Sequence, residues 1–310
     1  NGVRLPRLAA RARKKDMSLD EVLMVTALGC YVLAALGLLG FFFSRQEWLR
    51  LFGMPLAIIG CVAQFAQLIA RFELTGIWPL LNLYGSLSLF AAMAVAIYIV
   101  FAFRYDLWFA GGFVLAIAAV FLAYAVTWNE GTMPAVPSLQ SYWAKIHVPL
   151  VVSSYAAFLV AFVFSGIYLL KYYALRALES RMVPATAAAG AGESVAGSSV
   201  GGWLDALPSL AQLDTIVYRA VAIGLPLISI GIITGAMWAK EAWGAYWQWD
   251  PKETAALFSW IIYLAYMHLH TRHAWRGLRT NWVSMIGFAS IIFCYLGVNI
   301  WISGLHSYKM

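Results

Sequence analysis

The sequence predicts an all-α membrane protein that crosses the bilayer about eight times, and its composition and pattern lead to that prediction. Hydrophobic residues make up 63% of the 310 residues and charged residues only 11%, which excludes an ordinary soluble domain. Eight apolar runs are each near the roughly 20 residues that a helix needs to cross a bilayer. These runs are residues 22–43, 54–71, 83–103, 107–127, 147–170, 215–236, 255–270 and 283–303. Strand-like alternation of polar and apolar residues does not compete with this pattern, which argues against a β-barrel.

A basic tail, residues 1–21, precedes the first run. Its cations are Arg4, Arg7, Arg11, Arg13, Lys14 and Lys15. Eight spans would place them outside the cell, although Lys and Arg concentrate in cytoplasmic loops. We therefore expect the native chain to start at Met17, so that Asp20 and Glu21 flank the first span on the outer side. The first run is also too long for a cleavable signal peptide.

Lys and Arg in the loops orient the spans. One side of the membrane, here called the basic face, carries Arg45, Arg50, Arg104, Lys171, Arg176, Arg181, Arg272, Arg276 and Arg279. The opposite side, here called the aromatic face, carries Arg71, Lys145, Lys240, Lys252 and Lys309. The positive-inside rule places the basic face in the cytoplasm, so we expect a multi-pass protein of the bacterial cytoplasmic membrane with its aromatic face outside. The net charge of +7 then reflects topology, and no nucleic-acid partner is expected.

The predicted spans fall into two blocks. Residues 22–172 hold spans one to five, and residues 213–310 hold spans six to eight. The intervening residues 173–212 include an Ala/Gly/Ser-rich linker at 183–202, followed by a segment expected to lie along the membrane surface. We expect Asp214 and Thr215 to cap the start of the sixth helix.

A tryptophan-rich loop, residues 237–254, joins spans six and seven on the aromatic face. Its large rings belong to Trp238, Trp243, Tyr246, Trp247 and Trp249. Flat aromatic faces held beside water suit a large, flat, amphipathic ligand, of which haem is the obvious candidate. The ordinary alternative is an interfacial aromatic belt, but a belt needs no fixed Asp-Pro-Lys-Glu ending. Lys240 and Lys252 would suit haem propionates and lipid phosphates equally.

The loop ends in a helix-capping pattern. The pattern has Asp250 at the N-cap, Pro251 at the first helical position and Glu253 at the third. We therefore expect Asp250 to start the seventh helix and to fix the loop against it.

Helix parity places two of the five histidines on the aromatic face. His147 lies at the start of the fifth span, and His306 follows the eighth. Either residue alone is more typical of a polar side chain at the interface, whereas the pair suits the two axial ligands of a haem iron.

The other three histidines cluster at the basic-face end of the seventh span. On a helix His270 and His273 would share one side, while His268 would point away. A ligand role and a contact with lipid headgroups are equally compatible with this spacing.

Three cysteines, Cys30, Cys61 and Cys294, lie inside apolar runs, and the sequence has no CxxC motif. Any thiol chemistry associated with this protein is therefore expected to belong to a partner.

The chain resembles the CcsA-type membrane subunit of System II cytochrome c synthases, within the haem-handling family that carries a tryptophan-rich WWD domain. The resemblance runs from about residue 71 to the C-terminus. It rests on WPLLNLYGSL at 78–87, SYWAKIHVP at 141–149, LDTIVYRAVAIGLPLISIGIITGAMWA at 213–239, WGAYWQWDPKET at 243–254, LHTRHAWRG at 269–277 and GVNIWISGLHSY at 297–308. Gly85 departs from the family pattern, which commonly has an acidic residue at that position.

This resemblance implies a haem-binding role for the predicted site residues. The loop would hold haem b at the outer surface, with His147 and His306 as axial ligands. Trp238, Trp243, Tyr246, Trp247, Trp249 and Asp250 would form the haem-binding surface. His270 would be one ligand of an inner haem site from which haem moves outward, and a ResB-like membrane subunit would supply the other.

The same resemblance implies an enzyme, a cytochrome c synthase or haem lyase that works together with the ResB-like subunit. It would attach haem to the CxxCH motifs of apocytochrome c, with a thioredoxin-like thiol reductant as a further partner. Catalysis would consist mainly of positioning, since the cysteine thiols belong to the apocytochrome.

Three other functions stay open. A haem exporter or chaperone would release haem without forming thioethers. A membrane electron carrier of the cytochrome b type would place two axial histidines for each haem within the bilayer. A small-solute channel would leave the two outer histidines without a role.

Overall fold

The computed structural model describes residues 17–129, 137–188, 204 and 207–302, and their regular structure is entirely helical. The long helices are α1 (Leu19–Ser44), α2 (Glu47–Thr75), α3 (Leu83–Tyr105), α4 (Gly111–Val126), α5 (Tyr142–Ala188), α6 (Leu210–Trp243), α7 (Pro251–His270) and α8 (Leu278–Ile292). Short 3₁₀ turns at Trp108–Ala110 and Pro137–Gln140 precede α4 and α5. A π-helical turn, Phe293–Gly297, continues α8 into Val298–Trp301.

The predicted class, an all-α polytopic membrane protein, is confirmed. Among the described residues, 7 helical segments are long and apolar enough to cross a membrane. The remaining helix, α7, has 20 residues and packs against α6 and α8. It is less apolar because Lys252, Glu253 and two histidines lie in its terminal turns.

Two boundaries differ from the sequence prediction. The prediction that Asp214 and Thr215 cap the sixth helix was wrong, because α6 begins at Leu210 with Ser209 as its N-cap. The Ser209 hydroxyl accepts from the Gln212 amide at 3.2 Å, and the Gln212 side chain accepts from the Ser209 amide at 2.9 Å. This reciprocal capping box starts the helix one turn earlier and places Asp214 inside it.

The predicted linker is also partly helical. Helix α5 continues to Ala188, so its last residues occupy the beginning of the segment expected at 183–202. Residues 189–203 lie outside the described residues.

Close packing of α5 against α6 joins the first block to the second. Gly231 and Gly235 of α6 face α5, and a Cβ at either position would lie within 2.7 Å of Val151 or His147 respectively. Glycine therefore permits an approach that any larger residue would prevent, and this approach brings His147 against the α6 backbone.

A buried ion pair joins the aromatic-face ends of the first two helices. Arg71 Nη1 donates to Asp20 Oδ2 at 2.9 Å, and the Arg71 guanidinium lies 4.4 Å from the Tyr84 ring centroid. Gln67 Nε2 donates to the Tyr84 hydroxyl at 3.1 Å. These paired polar groups link α1, α2 and α3.

Candidate functional site

A cavity lies at the aromatic-face ends of α3, α5, α6, α7 and α8. Its empty volume is about 1070 Å³ when the open mouth is included. The predicted site residues His147, Trp238, Tyr246 and Trp247 line this cavity.

The imidazole of His147 is oriented by the backbone of α6. Its Nδ1 lies 2.7 Å from the Gly231 carbonyl oxygen, which can only accept, so Nδ1 carries the proton in this contact. The neutral ring then has its lone pair on Nε2, the nitrogen suited to binding iron. The Trp238 ring lies 5.7 Å from the imidazole at an interplanar angle of 31°.

The tryptophan-rich segment is more helical than predicted. Helix α6 continues to Trp243, so residues 244–250 alone form the loop. Trp238 is buried, and its indole Nε1 donates to the Ser138 carbonyl at 2.7 Å. Trp243 packs against Trp238 with ring centroids 5.0 Å apart.

The aromatic rings do not form one continuous floor. Trp238 and Trp243 are inclined at 52°, and Trp247 and Trp249 are perpendicular. Trp243 and Trp249 are not among the lining residues, and Trp249 is 69% exposed with a φ of 57°. The cavity therefore presents separate aromatic walls to a ligand.

Hydrogen bonds from both flanking helices fix the loop. Glu253 Oε2 accepts from the amides of Gln248 and Asp250 at 2.8 and 3.2 Å. Lys240 Nζ donates to the Gly244 carbonyl at 2.8 Å. Asp250 is buried and forms the capping box of α7 with Glu253, which confirms the predicted cap.

Lys252, expected to suit haem propionates and lipid phosphates equally, lines the cavity together with Asn299, which had no predicted role. Lys252 Nζ donates to Asn299 Oδ1 at 3.0 Å, and Asn299 Nδ2 donates to the Tyr295 carbonyl at 2.7 Å. The sequence signal for Lys252 is its position in the capping motif directly after the tryptophan-rich loop. The π-helical turn that sets the position of Asn299 has no comparable sequence signal.

His306, the second predicted axial ligand, lies outside the described residues. The described part of the chain ends at Ile302, shortly after Asn299, which lines the cavity. The expected pairing of His147 with His306 thus stays a prediction.

His270 occupies a separate buried cluster at the basic face. Its Nε2–H donates to Asp214 Oδ2 at 3.0 Å, while Asn281 Nδ2 donates to Asp214 Oδ1 at 2.9 Å. The rings of Tyr218 and Tyr266 stack on the imidazole with centroids 4.6 and 5.8 Å away. The nitrogen that usually meets a haem iron is therefore held by a carboxylate.

The neighbouring histidines are arranged differently from the prediction. Helix α7 ends at His270, so His273 lies in the following turns and shares no helical face with it. His268 and His273 are both exposed. Only His270 of this group enters the buried cluster.

Gly85 has a structural reason to differ from the family pattern. A Cβ at this position would lie 1.6 Å from the Pro79 carbonyl oxygen. The Gly85 amide also donates to the Asn82 side chain at 2.8 Å, which caps α3. This turn excludes an acidic side chain, so a role for that carboxylate does not carry over.

The known proteins that this chain matches by sequence are described as cytochrome c assembly or biogenesis proteins. Residues 80–306 match the family described as "Cytochrome C assembly protein". The chain is 34% identical over 267 residues to "Cytochrome c biogenesis protein CcsA" of Heterosigma akashiwo, covering 81% of this chain and 83% of that one. It is 37% identical over 250 residues to the protein of that name in a Synechococcus species, covering 78% and 80%.

A solved structure shares the fold. The chain matches "Cytochrome c Heme Lyase CcmF" with a TM-score of 0.62 at 16% sequence identity, covering 95% of this chain. It spans 48% of that protein's length, so about half of the larger protein has no counterpart here.

Proposed function

Since the chain belongs to the cytochrome c assembly protein family, we propose that it binds haem in the aromatic-face cavity and presents it for covalent attachment to apocytochrome c. Haem is here the substrate. The observation that carries the proposal is the orientation of His147, whose Nδ1–H is committed to the Gly231 carbonyl. Its other nitrogen can then supply a lone pair to iron, in a cavity lined by Trp238, Tyr246 and Trp247.

The new covalent bonds form between the apocytochrome thiols and haem, so this chain contributes little to the bond-forming chemistry itself. Each cysteine thiol of a CxxCH motif adds across a haem vinyl group: a carbon–sulfur bond forms, and the thiol proton ends on the neighbouring carbon. The addition consumes no oxidant or reductant. Its rate therefore depends on holding haem and apocytochrome in the reacting geometry, which can contribute about 7–11 kcal/mol to lowering the barrier.

The cavity residues divide this positioning work. His147 would bind the iron from one side, and His306 would bind it from the other. The ring of Trp238 and its neighbours would pack against the porphyrin, while Lys252 would receive a propionate. An incoming apocytochrome histidine could then replace one axial imidazole and help release the product.

The second proposed site is that of His270. It would ligate haem near the basic face through Nδ1, since Nε2 donates to Asp214, and a ResB-like membrane subunit would supply the other ligand. We propose that the protein lies in the bacterial cytoplasmic membrane, with its aromatic face outside the cell. A thioredoxin-like reductant would keep the apocytochrome thiols reduced.

Co-expression tests the assignment. The chain, a ResB-like subunit and a CxxCH apocytochrome are produced in cells that lack their own maturation system. Haem that stays with the apocytochrome after denaturation demonstrates thioether formation. Haem export without such a product would favour the exporter, and reversible redox cycling coupled to quinol without attachment would favour the electron carrier.

His147→Ala tests the central residue within that system. We expect haem retention and holocytochrome yield to fall at least about tenfold, as is typical of losing a metal ligand or its immediate support. Added imidazole should restore part of both. His268→Ala, which removes an exposed histidine at the other face, is the matched control. Wild-type yield from His147→Ala would refute the proposed ligand role.

A further inference from the structure

A second cavity lies at the basic face, between the two helix blocks. Its empty volume is about 1300 Å³, including the open mouth. The end of α1, the segment between α3 and α4, and the start of α6 form its walls. It is separate from the His270 cluster, because His270, Asp214 and Tyr218 are not among its lining residues.

Two arginines give this cavity its charge. Arg45 follows the last turn of α1 with a φ of 58°, and Arg219 lies 4.7 Å above the Tyr105 ring. The Nε and Nη2 atoms of Arg45 are shielded from solvent and have no hydrogen-bond partner among the described residues. Burial lowers the pKa of this guanidinium.

The cavity also contains one carboxylate and a helix N-terminus. Asp106 is the lining carboxylate, yet no ion pair joins it to either arginine in the described part of the chain. The first turn of α6 also faces the cavity through Ala211 and Gln212. A helix N-terminus adds positive potential.

The remaining wall is apolar. Phe41, Trp108, Phe109, Leu207 and Ile216 line the cavity beside the arginines. A suitable ligand must therefore combine anionic oxygens with an extended hydrophobic part. The planar guanidinium group of arginine can donate two hydrogen bonds to the oxygens of one phosphate. Basic pockets between membrane helices bind the headgroups of anionic lipids.

We propose that this cavity binds an anionic phospholipid of the basic-face leaflet. Its phosphate would accept from Arg45 and Arg219, and its acyl chains would lie along Phe41 and Ile216. Because Arg45 belongs to the first helix block and Arg219 to the second, the bound lipid would stabilise their contact. The proposal is independent of the haem chemistry assigned to the other face.

Native mass spectrometry of the full-length, delipidated protein tests the proposal. Phosphatidylglycerol is added to the wild type and to the double variant Arg45→Gln/Arg219→Gln, and phosphatidylcholine serves as the neutral lipid. We expect the double variant to bind phosphatidylglycerol at least about tenfold more weakly, the loss of roughly 1.4 kcal/mol. Arg176→Gln removes an exposed cation of α5 at the same face and should bind as the wild type does.

Thermal unfolding supplies a second measurement. Phosphatidylglycerol should raise the Tm of the wild type, and the double variant should lose most of this increment. If the double variant does not fold, Arg219→Lys keeps the charge but loses the planar fork, and it should show a smaller increment than the wild type. Equal lipid binding by wild type and variant would overturn the proposal, as would an equal Tm increment with inorganic phosphate alone.

Discussion

At the scale of single residues, a backbone carbonyl selects the chemistry of His147. The Gly231 carbonyl accepts from Nδ1, and this contact fixes both the tautomer and the ring plane. The residue itself is evident in the sequence, but its partner is 84 positions away. A long-range contact of this kind follows from helix packing, and no local sequence motif predicts it.

His270 depends on Asp214 in a comparable way. Replacing the carboxylate by the amide in Asp214→Asn should weaken inner haem binding by about 10–100-fold, because outer partners of ligating histidines orient the ring and raise its basicity. Haem stoichiometry and midpoint potential of the complex with the ResB-like subunit would measure this change.

Asp106→Asn, which alters a basic-face carboxylate away from the histidine, should leave the inner haem unchanged. Increased inner haem in Asp214→Asn would contradict the supporting role. It would show instead that the carboxylate holds Nε2 away from the iron.

Lys252 should act through its charge. In Lys252→Met, we expect haem retention to fall about tenfold, since a hydrogen bond to a charged group contributes roughly 1.5–3 kcal/mol. The dimethyl ester of haem has no propionate charge, so the wild type and the variant should bind it equally. Haem titration by absorbance would compare the two ligands.

Lys145→Met is the matched control, because Lys145 is exposed at the same face. An equal loss of the ester and of haem in Lys252→Met would assign Lys252 a packing role only.

At the scale of secondary-structure elements, the packing of α5 against α6 forms one wall of the cavity. The glycines of α6 allow the two helix backbones to approach, and Trp238, one turn after Gly235, closes the wall beside His147. The capping box of α7 then sets where the loop ends. The glycines of α6, Trp238 and the capping box of α7, which follow one another in the sequence, therefore shape the same cavity.

Gly235→Ala tests this helix contact. The added Cβ would lie 2.7 Å from Cε1 and Nδ1 of His147, so we expect ring displacement, a stability loss of about 1–3 kcal/mol and lower haem retention. Gly166→Ala in α5 meets no atom within 4 Å and should preserve both stability and haem binding. Unchanged haem retention in Gly235→Ala would show that the ring position is not set by this contact.

At the scale of the whole molecule, the two histidine sites lie at opposite ends of one helix. Lys252 lies in the first turn of α7 and His270 ends it, and a helix of 20 residues is about 30 Å long. Haem that moves between the sites would therefore cross the apolar thickness of the bilayer. Under the proposed function, these two sites would lie at the start and the end of the path along which haem passes from one face to the other.

Cysteine labelling in intact cells tests the orientation. Trp249→Cys places a thiol at an exposed position of the aromatic face, and Arg272→Cys does so at the basic face. A membrane-impermeant maleimide should label the first variant directly and the second only after permeabilisation, because cytoplasmic loops are enriched in Lys and Arg. The reverse labelling pattern would invert the proposed topology.

Much of the architecture was predictable because apolar length and loop charge act locally. Hydropathy gave the helical class, and the Asp250 cap was predicted from its motif and is confirmed. The start of α6 was placed too late because the Ser209–Gln212 capping box went unrecognised in a segment assigned to the membrane surface. His273 was placed on a helical face that does not exist because α7 ends at His270.

The sequence by itself determined the membrane class, the tryptophan-rich motif and the identity of the candidate ligands, because each depends on composition or on neighbours in the chain. Only the tertiary structure decided which rings line the cavity, which nitrogen of His147 is committed to a carbonyl, and that Asp214 engages His270. It also joined Arg45 and Arg219 in one cavity. These relations depend on where helices cross, which is set by the small residues and side-chain shapes of distant segments acting together.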